Sequence, residues 1–286
     1  MYSYFNLMDE LDFFVRAGAE VGSVGVSECG NLIPYIRVGE RKGKKIIVSG
    51  GIHAREYLTT HLVVMQAYYA LKAEKIDGSI YFVPTLNPDG ALLIEKGASF
   101  FGTRGEFLRR INGGSDDFSL WKANINGVDL NLNFPARWGS GKENRFFPSF
   151  QNFVGQSPFS ESETRAIRDF TLQILPDATV SYHAKGEVLY WFFHQTPSRL
   201  KRDFALASKL NRTLNYTMGE NRTLSAGGYK DWCVSSLGIP AFTVEIISDE
   251  YSHPLPSCAL DEEQIRKNID LPLNLVKFLS ESGEKI

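Results

Sequence analysis

The stretch KIIVSGGIHAREY, residues 45–57, joins a predicted strand to a predicted helix. Residues 45–49 predict a strand, and its apolar centre, Ile46 to Val48, is typical of a strand that is covered on both faces of its sheet. Two glycines follow, and their freedom of backbone conformation allows a sharp turn. His53 and Glu56 are therefore predicted to lie at the carboxyl end of this strand, where open α/β sheets form their binding crevices.

The rest of the chain alternates between strand-like and helix-like segments. Further runs rich in Val, Ile, Tyr and Phe predict strands over residues 32–38, 79–84, 179–183, 188–193 and 242–247. Apolar periodicity predicts helices over residues 56–75, 160–175, 199–215 and 262–280. This alternation predicts an α/β fold in one domain, residues 1–286, with a mixed, twisted β-sheet covered by helices. Residues 1–30 would form a lead-in helix or segment.

Two local features carry expectations of their own. Ser160 followed by Glu163 forms the pattern of a capping box, which predicts that a helix begins there. Residues 87–158 are rich in Gly, Asn, Ser and aromatic residues and have little periodicity. A loop region of this length in a compact domain usually carries function, so we expect this one to do so.

The composition excludes several classes of partner. The 286 residues carry a formal net charge of −2, which gives no reason to expect binding to nucleic acid or to an anionic membrane. No apolar run reaches the length of a membrane span. The N-terminus is acidic and lacks the basic start and apolar core of a secretion signal, so we expect a cytoplasmic protein. An extracellular or cell-wall location is the alternative if a leader has been removed, and no protein partner is implied.

A hydrolytic zinc ion needs three protein ligands and one open coordination position. His53 and Glu56 supply two candidates, although a pair with this spacing alone is more often structural. His183, in SYHAKGE at the end of the predicted strand over residues 179–183, supplies a third. Two histidines and one glutamate form a ligand set that hydrolytic zinc favours. The sequence therefore predicts one Zn²⁺ per chain, in a site assembled from distant segments.

Glu245 interrupts the apolar run AFTVEIISDE, residues 241–250. A buried carboxylate without a partner is costly, so this residue requires an explanation. One explanation is a buried ion pair with a lysine or an arginine. The other is a general base whose pKa is raised by its surroundings, as a zinc hydrolase would need. The strand alone favours neither.

Five blocks in this order, GGIHAREY, LNPDG, GVDLNLNF, SYH and FTVEI, resemble the zinc carboxypeptidases of the carboxypeptidase A type. The resemblance covers most of the chain, from about Asn31 to the end. It implies a carboxypeptidase A-like fold of the phosphorylase/hydrolase kind and a metallopeptidase activity. It also implies that His53, Glu56 and His183 bind zinc and that Glu245 is the catalytic glutamate.

The sequence departs from that family where the carboxyl terminus of the substrate would bind. The family holds this carboxylate with an arginine in an Asn-Arg pair, and the pair here reads Asn131-Leu132. Leu132 cannot hold a carboxylate, whereas Asn131 or Asn133 could donate a hydrogen bond without a charge. A second family arginine, which polarises the scissile carbonyl, corresponds to Lys122. A lysine can act there as a cationic point charge.

Two more positions of the family's substrate site differ in this chain. The mobile tyrosine of the family corresponds to Thr223, and Tyr229 in SAGGYKDW is a candidate to replace it near the substrate. The specificity position corresponds to Lys230, which suggests an acidic group in the substrate.

The segments GVDLNLNFPARWG, SYHAKGEVLYW and GGYKDW resemble a bacterial subset of the family, the γ-D-glutamyl-diamino-acid peptidases. These enzymes cleave between D-glutamate and diaminopimelate in cell-wall peptides, so the resemblance implies a muropeptide substrate with several carboxylates and an amine. The candidate contacts for the acids are Arg55, Lys122, Lys185 and Lys230. Glu187 or Asp231 would contact the amine. Each lysine alone is more often a solvated surface charge.

Three alternatives stay open at this point. An ordinary metallocarboxypeptidase would remove C-terminal residues from proteins, and Leu132 counts against it. A deacylase of the aspartoacylase kind would share the zinc ligands, but the aromatic loop region fits a peptide better. A non-catalytic peptidase-fold binding module would have kept the cleft and lost the chemistry, although the ligands and the base are all present.

Overall fold

One mixed β-sheet organises the protein. The computed structural model describes residues 2–219 and 225–283, and within these ranges eight strands form a sheet of order β1-β2-β4-β3-β5-β8-β6-β7. The strands are β1 Glu20–Val26, β2 Leu32–Gly39, β3 Lys44–Ser49, β4 Gly78–Val83, β5 Ala178–Ala184, β6 Val188–Tyr190, β7 Thr217–Met218 and β8 Ala241–Ile246. Helices cover the sheet, which confirms the predicted fold class.

The helices follow the strands in alternation over much of the chain. They are α1 Tyr4–Arg16, α2 Tyr57–Leu71, α3 Pro88–Lys96, α4 Arg104–Ile111, α5 Ser162–Ile174, α6 Pro197–Leu214, α7 Tyr229–Trp232, α8 Glu262–Asn268 and α9 Leu271–Gly283. Among the described residues, no helix is both long enough and apolar enough to cross a membrane.

The centre of the sheet is parallel and brings three strand ends together. β3 pairs in parallel with β4 and with β5, and β5 pairs in parallel with β8. Every residue of β4 and of β5 is buried, as expected for strands covered on both faces. Since parallel strands end at the same edge of a sheet, the segments that follow β3, β5 and β8 meet there.

Some predicted elements have different limits in the structure. The predicted strand over residues 188–193 ends at Tyr190, because the side chain of Gln195 holds the following residues in a turn. Its amide oxygen accepts from the Phe193 N–H at 2.7 Å, and its amide nitrogen donates to the Trp191 carbonyl at 2.9 Å. The predicted helix over residues 262–280 is two helices, since a proline near the start of α9 cannot continue the ladder of α8.

The capping-box prediction for Ser160 and Glu163 is wrong. Helix α5 begins at Ser162, and the residue at its cap is Glu161, which makes no capping hydrogen bond with its side chain. The Ser160 hydroxyl instead donates to the Glu161 carboxylate at 2.6 Å. Glu163 is 1% exposed and takes part in a cluster of acidic side chains.

The region over residues 87–158 is less irregular than its composition suggests. It contains α3 and α4 and a short 3-10 turn, Leu130–Leu132. Asn87 caps α3 by accepting from the Gly90 N–H at 3.0 Å, and Pro88 occupies the first position of that helix. This cap-and-proline pair was a readable helix signal. The rest of the region borders the cleft described below.

The acidic cluster joins the chain around residue 28 to the starts of α3 and α5. It contains Glu28, Asp89, Glu161 and Glu163, and the Asn124 amide donates to Glu161 at 2.9 Å and to Glu163 at 3.3 Å. Burial, with the neighbouring carboxylates, raises the pKa of Glu163 to about 8. The folded protein therefore keeps a proton on this carboxyl at neutral pH.

This proton predicts a pH-dependent stability. The unfolded carboxyl ionises near 4.5 and the folded one near 8, so the folded state binds more protons between these values. The free energy of unfolding should then fall as pH rises through this window, by about 4 kcal/mol. Glu163→Gln should remove this slope and gain stability relative to the natural protein at pH 8. Urea unfolding of the zinc-free proteins at pH 5 and pH 8 measures this loss of stability. Glu74→Gln, which changes an exposed carboxyl, is the control. If the stability of Glu163→Gln depended on pH in the same way as that of the natural protein, the prediction would be contradicted.

Candidate active site

The turn after β3 places His53 at the carboxyl end of the central strands of the sheet. Gly51 has a φ of +58°, and a Cβ there would lie 2.6 Å from the Thr60 hydroxyl and 2.8 Å from that of Thr85. Only glycine therefore fits this turn without displacing its neighbours. His53 follows two residues later and Glu56 lies at the start of α2, as predicted from the sequence.

His53, Glu56 and His183 converge at the ends of β3 and β5. His53 Nδ1 lies 2.8 Å from one Glu56 oxygen, and His183 Nδ1 lies 3.3 Å from the other. The two Nδ1 atoms are 3.2 Å apart, and all three side chains are buried. Two imidazole lone pairs this close repel unless a proton or a cation lies between them. Two nitrogens and one carboxylate form the donor set of a zinc site, so these residues fit the predicted ion.

Glu56 is ionised in this cluster. Burial alone would raise its pKa, but the two histidines hold it well below its usual range. The Ala184 N–H also donates to Glu56 Oε2 at 3.2 Å. An ionised carboxylate held by these contacts is ready to bind a cation.

Asp129 is a candidate site residue that the sequence reasoning missed. It is fully buried, and one of its oxygens lies 3.2 Å from His53 Nε2 while the other lies 2.8 Å from the Lys122 ammonium. Burial opposes its charge, but Lys122 and His53 lower its pKa below the usual range. As an acceptor at Nε2, Asp129 places the imidazole proton there and leaves the His53 Nδ1 lone pair for a metal. Asp129 lies inside the family block GVDLNLNF, and this position is the sequence feature by which it could have been found.

Removing the charge of Asp129 should weaken metal binding. We expect Asp129→Asn to lower zinc affinity about 10- to 100-fold, the range typical of carboxylates behind a ligating histidine. Competition with a chromophoric chelator measures it. Asp177→Asn is a matched control, because Asp177 also pairs with a lysine, Lys44, at the opposite end of β3. An unchanged dissociation constant for Asp129→Asn would show that Asp129 does not orient His53.

Glu245 lies on β8, directly opposite His183 in the register of the sheet. Burial, together with the charges of Glu56 and Asp249, raises its pKa to about 7, against the opposing effect of His183 and Lys122. Within the described ranges Glu245 makes no ion pair and no side-chain hydrogen bond. This arrangement favours the general-base interpretation over the buried ion pair that the sequence left open.

A cleft of about 750 Å³ extends from this edge of the sheet. The residues that line it include Lys122, Asn131, Leu132, Tyr190, Lys230, Asp231 and Glu245. The structure therefore brings six of the predicted catalytic and substrate residues into one cavity.

Asn131 and Leu132 line the cleft, whereas the next residue, Asn133, does not. The Asn131 amide oxygen accepts from the Tyr229 N–H at 3.1 Å, and Leu132 presents an apolar surface that is 7% exposed. Asn133 is fully buried and donates to the Val154 carbonyl at 2.8 Å. The suggestion that Asn133 contacts substrate is therefore wrong, because its amide holds the loop together.

Tyr229 does not line the cleft, so its predicted role near the substrate is wrong. It is 1% exposed, and its hydroxyl lies 2.7 Å from the Thr171 hydroxyl. Its ring packs against Phe134 and Trp232 in the core. Thr223, at the position of the family's mobile tyrosine, lies outside the described residues.

Arg55 and Lys185 flank the metal ligands in sequence but do not line the cleft. Arg55 Nη1 donates to the Leu120 carbonyl at 3.3 Å, and its Nε is buried without a partner among the described residues. The Lys185 ammonium lies 2.7 Å from the Asp249 carboxylate, so its charge is paired.

The other charged candidates also have partners. The Glu187 carboxylate lies 3.1 Å from the Lys267 ammonium, so it is already paired and is not free to bind an amine of the substrate. The Lys230 ammonium lies 2.6 Å from Asp231 and donates to the Phe192 carbonyl at 2.9 Å. Lys230 is therefore not the lone cation that the sequence prediction of an acidic substrate group assumed.

This chain is similar to two proteins, one of Bacillus subtilis and one of Lysinibacillus sphaericus, over most of its length. It is 29% identical to the uncharacterized protein YqgT of Bacillus subtilis over 253 residues, which are 82% of this chain and 65% of that protein. It is 30% identical to the gamma-D-glutamyl-L-diamino acid endopeptidase 1 of Lysinibacillus sphaericus over 253 residues, 83% of this chain and 62% of that protein. The chain thus spans a little under two thirds of the length of both relatives.

The fold and the family agree with the geometry of the site. The structure of bovine thrombin-activatable fibrinolysis inhibitor in complex with tick carboxypeptidase inhibitor has a TM-score of 0.78 to this chain at 18% identity. The match covers 98% of this chain and 97% of that one. The zinc carboxypeptidase family model, Peptidase_M14, matches residues 7–270. The chain therefore belongs to the zinc carboxypeptidase family.

Proposed function

We propose that this protein is a zinc peptidase that hydrolyses the bond between D-glutamate and a diamino acid, diaminopimelate above all, in cell-wall peptides. The observation that carries the proposal is the buried His53, Glu56 and His183 cluster, with Glu245 on the adjacent strand and without an ion pair to any described residue. The identity to the Lysinibacillus enzyme named for such a bond supports the choice of substrate. The substrate would be a muropeptide.

His53, Glu56 and His183 would hold the zinc ion. When bound, zinc supplies Lewis acidity, which polarises a carbonyl and lowers the pKa of water toward neutrality. Asp129 keeps the His53 imidazole in the tautomer that this binding requires.

Glu245 would act first as general base and then as general acid. A carboxyl with a pKa of about 7 can both accept and return a proton near neutral pH. It takes the proton from the water whose oxygen attacks the scissile carbonyl. As the C–N bond breaks, it gives this proton to the nitrogen of the departing diamino acid, and the two products leave with the elements of water added.

Lys122 would stabilise the negative charge that develops on the carbonyl oxygen. Its ammonium lines the cleft, and Asp129 fixes it with one contact at 2.8 Å. An ammonium has three donors, so two remain for the substrate. A charge held in place before the reaction needs little reorganisation as the oxyanion forms. Arg55, which lies between the ligands His53 and Glu56 in the sequence, is proposed to contact an acidic group of the substrate.

Leu132 supports a substrate that is not an ordinary protein C-terminus. An arginine at this point of the cleft would hold a terminal carboxylate through two parallel hydrogen bonds. Leu132 offers only an apolar surface there, next to the neutral amide of Asn131. Selection by the D-glutamyl and diamino acid groups would make a terminal carboxylate unnecessary.

The choice of bond can be tested with two substrates, followed by mass spectrometry of the zinc-loaded protein. One is L-Ala-γ-D-Glu-meso-diaminopimelate, and the other is a blocked dipeptide with a free C-terminal Phe. We expect release of diaminopimelate from the first and no cleavage of the second. Cleavage of the dipeptide alone would identify an ordinary metallocarboxypeptidase, and a zinc-loaded protein that cleaves neither would fit a non-catalytic module.

A further inference from the structure

One segment of the cleft wall has no part in the reaction proposed above. Residues 139–154, called here the rim loop, place Glu143 and Asn144 on the cleft. The next residue, Arg145, donates its backbone N–H to the Asn152 carbonyl at 2.8 Å and so closes the base of the loop. This closure limits where the Glu143 carboxylate can move and keeps it on the cleft wall.

Glu143 brings an uncompensated negative charge to the cleft. The Lys122 ammonium lies 2.8 Å from Asp129, and the Lys230 ammonium lies 2.6 Å from Asp231, so the charges of these residues are neutralised locally. Glu143 is exposed, lines the cleft and forms no ion pair with any residue that the structure describes. A positively charged group of a ligand can therefore approach it without displacing another cation.

The proposed substrate carries ammonium groups that need such a partner. A free L-Ala-γ-D-Glu-diaminopimelate peptide has one ammonium at its amino terminus and one on the distal carbon of the diamino acid. The sequence suggested Glu187 or Asp231 as the partner, but Glu187 is paired with Lys267 and Asp231 with Lys230. Glu143 is thus the carboxylate that remains for this contact outside the catalytic centre.

Asn144, beside Glu143, offers a second contact on the same part of the wall. Its amide nitrogen is buried and has no hydrogen-bond partner among the described residues. Its amide oxygen packs against Gly141, where a Cβ would lie 2.5 Å away, so the nitrogen is the free end of the amide. In both candidate groups of the substrate, the carbon that carries the ammonium also carries a carbonyl or carboxylate carbon. A carboxylate acceptor beside an amide donor matches either group.

We propose that Glu143 binds an ammonium group of the substrate, with Asn144 donating to the oxygen beside it. This inference rests on the proposed function and names a charge that the rim loop selects. The two ammonium groups share this chemistry but differ in what their recognition would select. Binding of the N-terminal ammonium would favour free peptides, since attachment through that nitrogen removes its charge. Binding of the distal ammonium would favour diaminopimelate over 2-aminopimelate, which lacks it.

Four substrates distinguish these sources. They are L-Ala-γ-D-Glu-meso-diaminopimelate, its N-acetyl form, L-Ala-γ-D-Glu-L-2-aminopimelate and the N-acetyl form of the latter, which present both ammonium groups, the distal one, the N-terminal one and neither. Loss of the recognised ammonium should lower kcat/KM about fivefold, the upper range for an ion pair that is open to solvent. The change should lie mainly in KM and shrink as salt is added.

Variants at position 143 tie this preference to the rim loop. Glu143→Gln keeps the size of the side chain and removes its charge, so the preference should fall to within about twofold of unity. Glu143→Lys should reverse the preference, because its ammonium repels that of the substrate. Glu106→Gln is the matched control, since Glu106 is an exposed glutamate on α4 that does not line the cleft. It should keep the natural preference.

The outcomes separate the two proposals. If N-acetylation alone removes the effect of Glu143→Gln, the N-terminal ammonium is the one bound, and if the change to aminopimelate alone removes it, the distal one is. If Glu143→Gln alters all four values of kcat/KM by the same factor, or none of them, ammonium binding by Glu143 is overturned and the proposed function stands. If the zinc-loaded natural protein cleaves none of the four peptides, the proposed function itself fails.

Discussion

Glu245→Gln should reduce kcat on the γ-D-glutamyl substrate about 10³-fold while the protein still binds one zinc ion, since a general base contributes 10²- to 10⁴-fold. Gln keeps the size of the side chain but cannot accept the proton from water or return it to the leaving amine. Its neutral amide also replaces a carboxyl that is partly protonated near neutral pH, so the fold should be retained.

The comparison needs a matched variant and two readouts. Glu250→Gln changes an exposed carboxylate five residues further along and should leave kcat unchanged. Single-turnover rates measure the chemical step, and metal analysis of the purified proteins measures zinc content. If Glu245→Gln turned over substrate at the natural rate, another group would have to be the base.

His183→Ala should abolish tight zinc binding and, with it, turnover. The substitution removes one of the three donors, and the loss of affinity should exceed the 10- to 100-fold range typical of residues behind a ligand. Apo-protein stability should be measured separately, because Glu56 loses one of its two imidazole partners.

His194→Ala is the control for this substitution. His194 is exposed and bonds to Arg137, away from the three ligands, so its removal should not change zinc affinity. Isothermal titration of the apo-proteins with zinc gives both affinities directly. A His183→Ala protein that still bound one equivalent of zinc at the natural affinity would show that the ion is held elsewhere.

The metal ligands could be predicted from the sequence because chemistry restricts them. Few residue types bind zinc, and His53, Glu56 and His183 each follow or end an apolar run that predicts a strand. Parallel pairing of β3 with β5 then places them together. The order of the family's blocks along the chain extended this reasoning to Glu245.

The sequence-based predictions were wrong for residues whose role depends on packing or on a partner side chain. Tyr229 stands beside Lys230 in sequence, yet it points into the core because Phe134 and Trp232 surround its ring. The sequence GGYKDW does not show that the Tyr229 side chain points into the core while Lys230 lines the cleft. The Lys230–Asp231 ion pair was missed for the same reason, since adjacent residues in a sequence need not contact each other.

Short elements were also hard to predict. Helices α3 and α4 have nine and eight residues, too few for a clear period in a stretch rich in glycine. Strand β1 contains two glycines and its pairing with β2 is interrupted between Ser23 and Gly25. Both features weaken the alternation by which a strand is recognised.

The most direct test of the account is a zinc titration of activity. Apo-protein would be loaded with increasing zinc, and release of diaminopimelate from L-Ala-γ-D-Glu-meso-diaminopimelate would be followed at each step. The rate should rise in proportion to zinc and stop rising near one equivalent per chain. Release that does not depend on zinc, or full zinc binding without release, would contradict it.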